Sequence, residues 1–95
     1  MSMFKPLDPL LHNQLRLQIM SLLIGVENAE FGFLLDETGS TRGNLSVQLN
    51  KLKEAGYIAI EKGYKGNYPN TKCAISKKGQ HAFTSYFEAL QSYQP

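Results

Sequence analysis

The chain has 95 residues, ten Lys and Arg against eight Asp and Glu for a net charge of +2, and one cysteine. That length allows one domain, residues 1–95, with one modest core, close to the size at which association often assists folding, so a homodimer is a natural expectation. A lone Cys73 excludes an internal disulfide and a multi-cysteine metal site, and its strand spacing between Lys72 and Ala74 suits a small packing residue. No apolar run of about 18 residues and no charged-then-apolar leader is visible, so neither a membrane span nor a secretory signal is expected, and a cytoplasmic protein is.

The first periodic segment is "DPLLHNQLRLQIMSLLIG". Asp8 offers a cap with Pro9 at the first helical position, Leu11, Leu15, Ile19, Leu22 and Leu23 keep helical spacing, and Gly25 supplies a stop. One amphipathic helix of about four turns is expected. Leu10, Leu17 and Ile24 form a second stripe, suited either to a dimer contact or to packing within one chain.

"EFGFLLDETG" predicts a short second helix anchored by Phe31, Phe33, Leu34 and Leu35 and ended by Gly39. Ser40 or Thr41 then caps "TRGNLSVQLNKLKEAG", a third helix over about 41–55 whose Leu45, Leu49 and Leu52 share one face. Two helices joined by a short glycine turn make a helix-turn-helix.

Gly56 reads as a left-handed helix terminator, after which Tyr57, Ile58 and Ile60 start a strand. "GYKGNYPN" reads as a loop and "TKCAIS" as a second strand, so about 57–76 forms a two-stranded hairpin with a long basic tip. The last segment, 77–93, sets Phe83, Tyr86, Phe87, Leu90 and Tyr93 at helical spacing, more aromatic surface than so small a domain readily covers. The expected class is mostly α with a two-stranded β hairpin, an α+β chain with an added C-terminal helix.

Charge is segregated along the chain. Between Thr41 and Gln80 eight basic residues stand against two acidic ones, a net +6, whereas the remainder carries two basic and six acidic residues, a net −4. Such a block favours a polyanionic partner. An α-helix fits the major groove of duplex DNA, and with leucines inward the third helix leaves Gly43, Asn44, Val47 and Lys51 outward, flanked by Arg42 and Gln48. The amides of Asn44 and Gln48 can pair with adenine in two hydrogen bonds, Arg42 can reach guanine or phosphate, and Val47 can meet a thymine methyl. On the hairpin, Lys62 and Lys65 suit phosphate, Tyr64 accompanies them, and Tyr68 and Pro69 shape the loop.

In combination, "LRLQIMSLL", "FGFLLDETGSTRGNLSVQLNKLKEAGYI" and "KGYKGNYPNTKCAISKKGQHAFTSYFEAL" resemble the winged-helix DNA-binding transcriptional regulators of the ArsR and MarR type, most closely their small stand-alone subgroup. The resemblance implies a winged helix-turn-helix and a dimeric repressor or activator in a prokaryotic cytoplasm. It also implies that Ser40, Thr41, Asn44, Val47 and Gln48 face DNA bases and that the terminal helix pairs two subunits. The metal-sensing ArsR type carries a cysteine pair or His and carboxylate clusters that this chain lacks. His12, His81 and Glu88 fall short of a ligand set, so no metal and no cofactor are expected. No residue points to a small-molecule effector pocket, and neither a phosphate loop nor a nucleophile in a catalytic setting is visible, so no enzyme is expected. The alternative is a winged helix used to bind protein without DNA.

Overall fold

In the computed structural model, which describes residues 3–93, the elements are α1 (Gln14–Leu23), β1 (Ala29–Glu30), α2 (Phe31–Thr38), α3 (Arg42–Glu54), β2 (Ile58–Lys65), β3 (Tyr68–Ile75) and α4 (Lys77–Gln91). The expected order of helix, short helix, helix, hairpin and helix is present, and the class is α+β. The sheet has three antiparallel strands rather than two, ordered β1-β3-β2. The extra strand pairs Ala29 with Cys73 and Glu30 with Lys72. Two residues carry too little periodicity to announce a strand, and only the exposed edge of β3 makes them one.

The first helix is shorter than its hydrophobic spacing suggests. Asp8 does cap a turn, its Oδ1 accepting from Leu10 N at 2.9 Å and its carbonyl from Leu11 N and His12 N. Asn13 then adopts φ −152° and ψ 128°, and its side chain accepts from Arg16 N, restarting the helix at Gln14. Local side-chain bonding of this kind competes with helix continuation. The supposed second stripe is thereby split. Leu10 precedes the helix and, like Leu17, packs against the core, while Ile24 is exposed at the C-cap.

The core gathers Leu11, Ile19, Met20 and Leu23 from the amino-terminal part, Leu34 from α2, and Leu45, Leu49 and Leu52 from α3. Ile58, Cys73 and Tyr86 close it from hairpin and terminal helix. Burying each such leucine contributes about 1.5–3 kcal/mol. The leucine face of α3 therefore holds that helix with its opposite face in solvent. Burial pushes the Cys73 thiol up to about 11, which keeps it protonated and inert near neutral pH. Among the described residues no helix is long and apolar enough to cross a membrane.

Gly39 ends α2 at φ 65°, and Gly56 follows α3 at φ 79°, where Tyr57 N donates to Leu52 O at 3.0 Å. Tyr57 lies in this turn rather than in the strand. Its hydroxyl donates to Asp8 Oδ2, and its pKa is raised to about 12 by burial first and then by the Asp8 hydrogen bond and charge. The α4 helix is docked at the same place. Ser76 Oγ accepts from Gly79 N at 3.0 Å and donates to Gly56 O at 2.6 Å, and Ser76 N donates to Tyr57 O. Gly79 sits so close that a Cβ there would lie 2.1 Å from Tyr57 O.

Candidate nucleic-acid interface

The α3 helix begins where Thr41, in extended backbone, accepts from Asn44 N through its hydroxyl at 3.1 Å. Ser40 is half-buried in the turn between α2 and α3, its Oγ 3.0 Å from Thr38 Oγ1, which in turn donates to Leu34 O. Both hydroxyls therefore have work in the turn and cap. The resemblance implied base-facing roles for both, and in the structure Ser40 also meets Thr38 within the turn. Arg42, Gly43, Asn44, Val47 and Lys51 are exposed, as the leucine register requires.

Gln48 is held more tightly than its helical position announces. Its Oε1 accepts from Arg16 Nη1 at 2.5 Å and its Nε2 donates to Asn44 Oδ1 at 3.1 Å. The two amides expected to read bases independently are thus joined to each other and to α1. Arg16 was not among the expected site residues, because a lone arginine on an apolar helix gives no signal of what it will reach.

Beside this face runs a groove of about 560 Å³ between the start of α2, the flank of α3 and the hairpin. Arg42, Ser46 and Asn50 line one wall and Lys62, Asn70 and Thr71 the other. Arg42, Ser46 and Asn50 recur every four residues beside the leucines, a spacing that could have found Ser46 and Asn50. The Arg42 guanidinium lies 5.7 Å from the centre of the Phe31 ring, which steadies it at the groove mouth.

The hairpin differs from the expected loop. Strand pairing continues to Lys65↔Tyr68, so the tip is the two-residue turn Gly66–Asn67 with Gly66 at φ 64°. A positive φ at the first central residue matches the right-handed twist of the flanking strands. Tyr68 accordingly does not shape a loop. It is a strand residue 77% exposed, as Tyr64 is at 78%. Strand alternation places Lys62 and Tyr64 on the face shared with Ile58 and Ile60, and Lys65 on the other. Lys65 Nζ reaches back to Glu30 Oε1 at 3.3 Å, the one ion pair among the described residues. The cations of Arg42, Lys51 and Lys62 have no carboxylate partner within that set.

The expected interface residues of α4 divide. Phe87, Leu90 and Tyr93 are 41%, 38% and 49% exposed, and Phe83 is half-buried with its ring edge-on to Phe87 at 5.0 Å. Phe4 lies against Tyr93 with ring centres 4.8 Å apart. Tyr86 departs from expectation. It is 5% exposed in the core and its hydroxyl is 3.1 Å from His12 Nδ1, because its position turns inward with Ala89. Among the described residues no group of three or more His, Cys, Asp or Glu is placed to hold a metal ion.

The family model described as "winged helix DNA-binding domain" matches residues 15–94, which takes in all of α1 but its first residue, then every later element through α4. The chain belongs to this family. It is 38% identical over 77 residues to an uncharacterized protein of Methanocaldococcus jannaschii, covering 80% of this chain and 84% of that one. Among solved structures it is similar to a transcriptional regulator homologue from Pyrococcus horikoshii OT3, at 25% identity and TM-score 0.80, covering 87% of this chain and 82% of that one. A structure of NadR in complex with 4-hydroxyphenylacetate, at 17% identity and TM-score 0.72 over 87% of this chain and 61% of that one, shares the fold. AbfR in a disulfide-formed state, at 16% identity and TM-score 0.74 over 84% and 54%, shares it too. In winged-helix terms α2 and α3 are the helix-turn-helix, α3 its second helix, and β2–β3 the wing.

Proposed function

We propose that this winged-helix protein is a transcription regulator that binds duplex DNA as a homodimer in the cytoplasm, with α3 in the major groove and the wing on the flanking backbone. The observation that carries this reading is the exposed α3 face of Arg42, Asn44, Val47 and Lys51 standing beside a groove whose far wall supplies Lys62. These cations have no carboxylate partner among the described residues, and the amino-terminal N–H groups of α3 add a site for phosphate at the same end. Arg42, Lys51, Lys62 and Lys65 hold the backbone. Asn44, Val47 and Gln48, with Thr41 at the cap, meet base edges. The regulator homologue from Pyrococcus horikoshii supports the regulatory role.

The whole chain acts as one domain, with the terminal helix joining two copies. Phe83, Phe87, Leu90 and Tyr93 form the face that a second copy covers, without Tyr86. Two α3 helices then meet half-sites about one DNA turn apart.

Titrating labelled random and selected duplexes at two salt concentrations, with light scattering on the same samples, tests the reading. The expected result is twice the monomer mass and an affinity that falls steeply with salt, because phosphate neutralisation releases counterions. Folded protein that binds no duplex at low salt would favour a protein-binding module. A monomer at high concentration would overturn the dimer.

A further inference from the structure

The bonds around Gln48 have a direction, and Arg16 sets it. A guanidinium has five donors and no acceptor. The atom of Gln48 that meets Arg16 Nη1 at 2.5 Å must therefore be the oxygen, which turns the amide nitrogen toward Asn44. That nitrogen donates to Asn44 at 3.1 Å, so the atom it meets must again be the oxygen. Asn44 Nδ2 is left as the outward end of the series, and no described residue accepts from it. Arg16 itself cannot swing away freely, since its Nε donates to Leu10 O at 2.6 Å in the turn that Asp8 closes.

The consequence concerns which base edge fits. An asparagine or glutamine that pairs with adenine in two bonds needs its oxygen for N6–H and its nitrogen for N7. Here each amide oxygen is turned toward a protein donor that takes one of its two lone pairs, and the N–H groups for which no described residue is an acceptor are those of Asn44 and the second N–H of Gln48, one helical turn apart. Guanine offers two acceptors, N7 and O6, in the major groove, while cytosine offers only a donor. We infer that Arg16 is a positioning residue that orients the Gln48 and Asn44 amides as donors, so that α3 prefers guanine over adenine at the base they meet. This deepens the proposed DNA reading and rests on it.

The experiment is selection of bound sites from random duplexes, followed by affinities for the selected duplex and for the same duplex with that guanine changed to adenine. It is run on the wild type, Arg16→Met and Gln48→Glu, with circular dichroism to establish folding. The wild type should select guanine and lose about tenfold on adenine. Arg16→Met should bring that ratio toward one. Gln48→Glu retains a partner for Arg16 but has no N–H to give, so Asn44 must turn its nitrogen inward and its oxygen outward. Its preference should move to the base donors of adenine and cytosine. Should Arg16→Met fail to fold, the Gln48→Glu preference decides alone. A uniform loss on all duplexes with the guanine ratio kept would make Arg16 a phosphate contact and overturn the inference. So would a Gln48→Glu protein that still selects guanine. A folded wild type that binds no duplex at low salt removes the DNA reading itself, and this inference with it.

Discussion

The first turns of α3 and α4 begin alike and end in opposite places. Each is capped by a hydroxyl in extended backbone, Thr41 accepting from Asn44 N and Ser76 from Gly79 N. Each continues with basic residues and a glycine, "TRGN" in one and "SKKGQ" in the other. Around Gly43 a Cβ would meet nothing within 4 Å, whereas at Gly79 it would lie 2.1 Å from Tyr57 O. One turn stays open beside the groove, and the other is closed against the chain leaving α3. Similar capping chemistry thus yields a candidate binding end and a structural joint, according to what packs beside it.

The comparison is broken hardest at the closed turn. Gly79→Ala drives a methyl into a backbone carbonyl that cannot rotate away, so urea unfolding should show a loss of about 3 kcal/mol. A loss under about 1 kcal/mol would mean that α4 can shift off the Gly56–Tyr57 turn at little cost.

At the open turn the expected effect falls on binding. Asn44→Ala should cost about 1–3 kcal/mol on the selected duplex and relax its sequence preference, with urea unfolding nearly unchanged. Equal losses on selected and scrambled duplexes would remove Asn44 from the reading face.

Gly43→Ala sharpens the contrast with Gly79. Its surroundings accept a methyl and its helical backbone accepts an alanine, so the protein should gain about 0.4–1 kcal/mol of stability. Duplex affinity should fall in the same variant, since the added methyl holds the helix start away from the DNA. Urea unfolding and duplex titration on one preparation check both signs. Unchanged affinity would place the start of α3 outside the contact.

The smallest effect belongs to the wing. The pair between Lys65 and Glu30 is solvent-exposed, so Lys65→Ala should change stability by less than about 1 kcal/mol. Its loss should weaken all duplexes by a similar factor and lower the slope of log affinity against log salt by about one. An unchanged slope would mean that Lys65 serves Glu30 alone. Lys62→Ala, on the groove face, should then carry the wing's share.

What the sequence determined by itself was periodic or terminal. The leucine spacing of α3, the helix ends at Gly39 and Gly56, a hydroxyl cap at Ser40 or Thr41 and the outward positions of Asn44, Val47 and Lys51 follow from local geometry, because each depends on residues within one or two turns. The Asn13 cap that restarts the first helix is local too, its side chain accepting from Arg16 N three residues on, although the leucine spacing masks it. The tertiary structure alone decided three other matters. Glu30 and Ala29 became a strand because β3 offered an edge. Tyr86 left the terminal helix's apolar face for the core beside His12. Arg16 reached Gln48 across 32 residues of sequence and set the direction of its amide. Such contacts join segments distant in the chain, and nothing in the spacing of either segment records its partner.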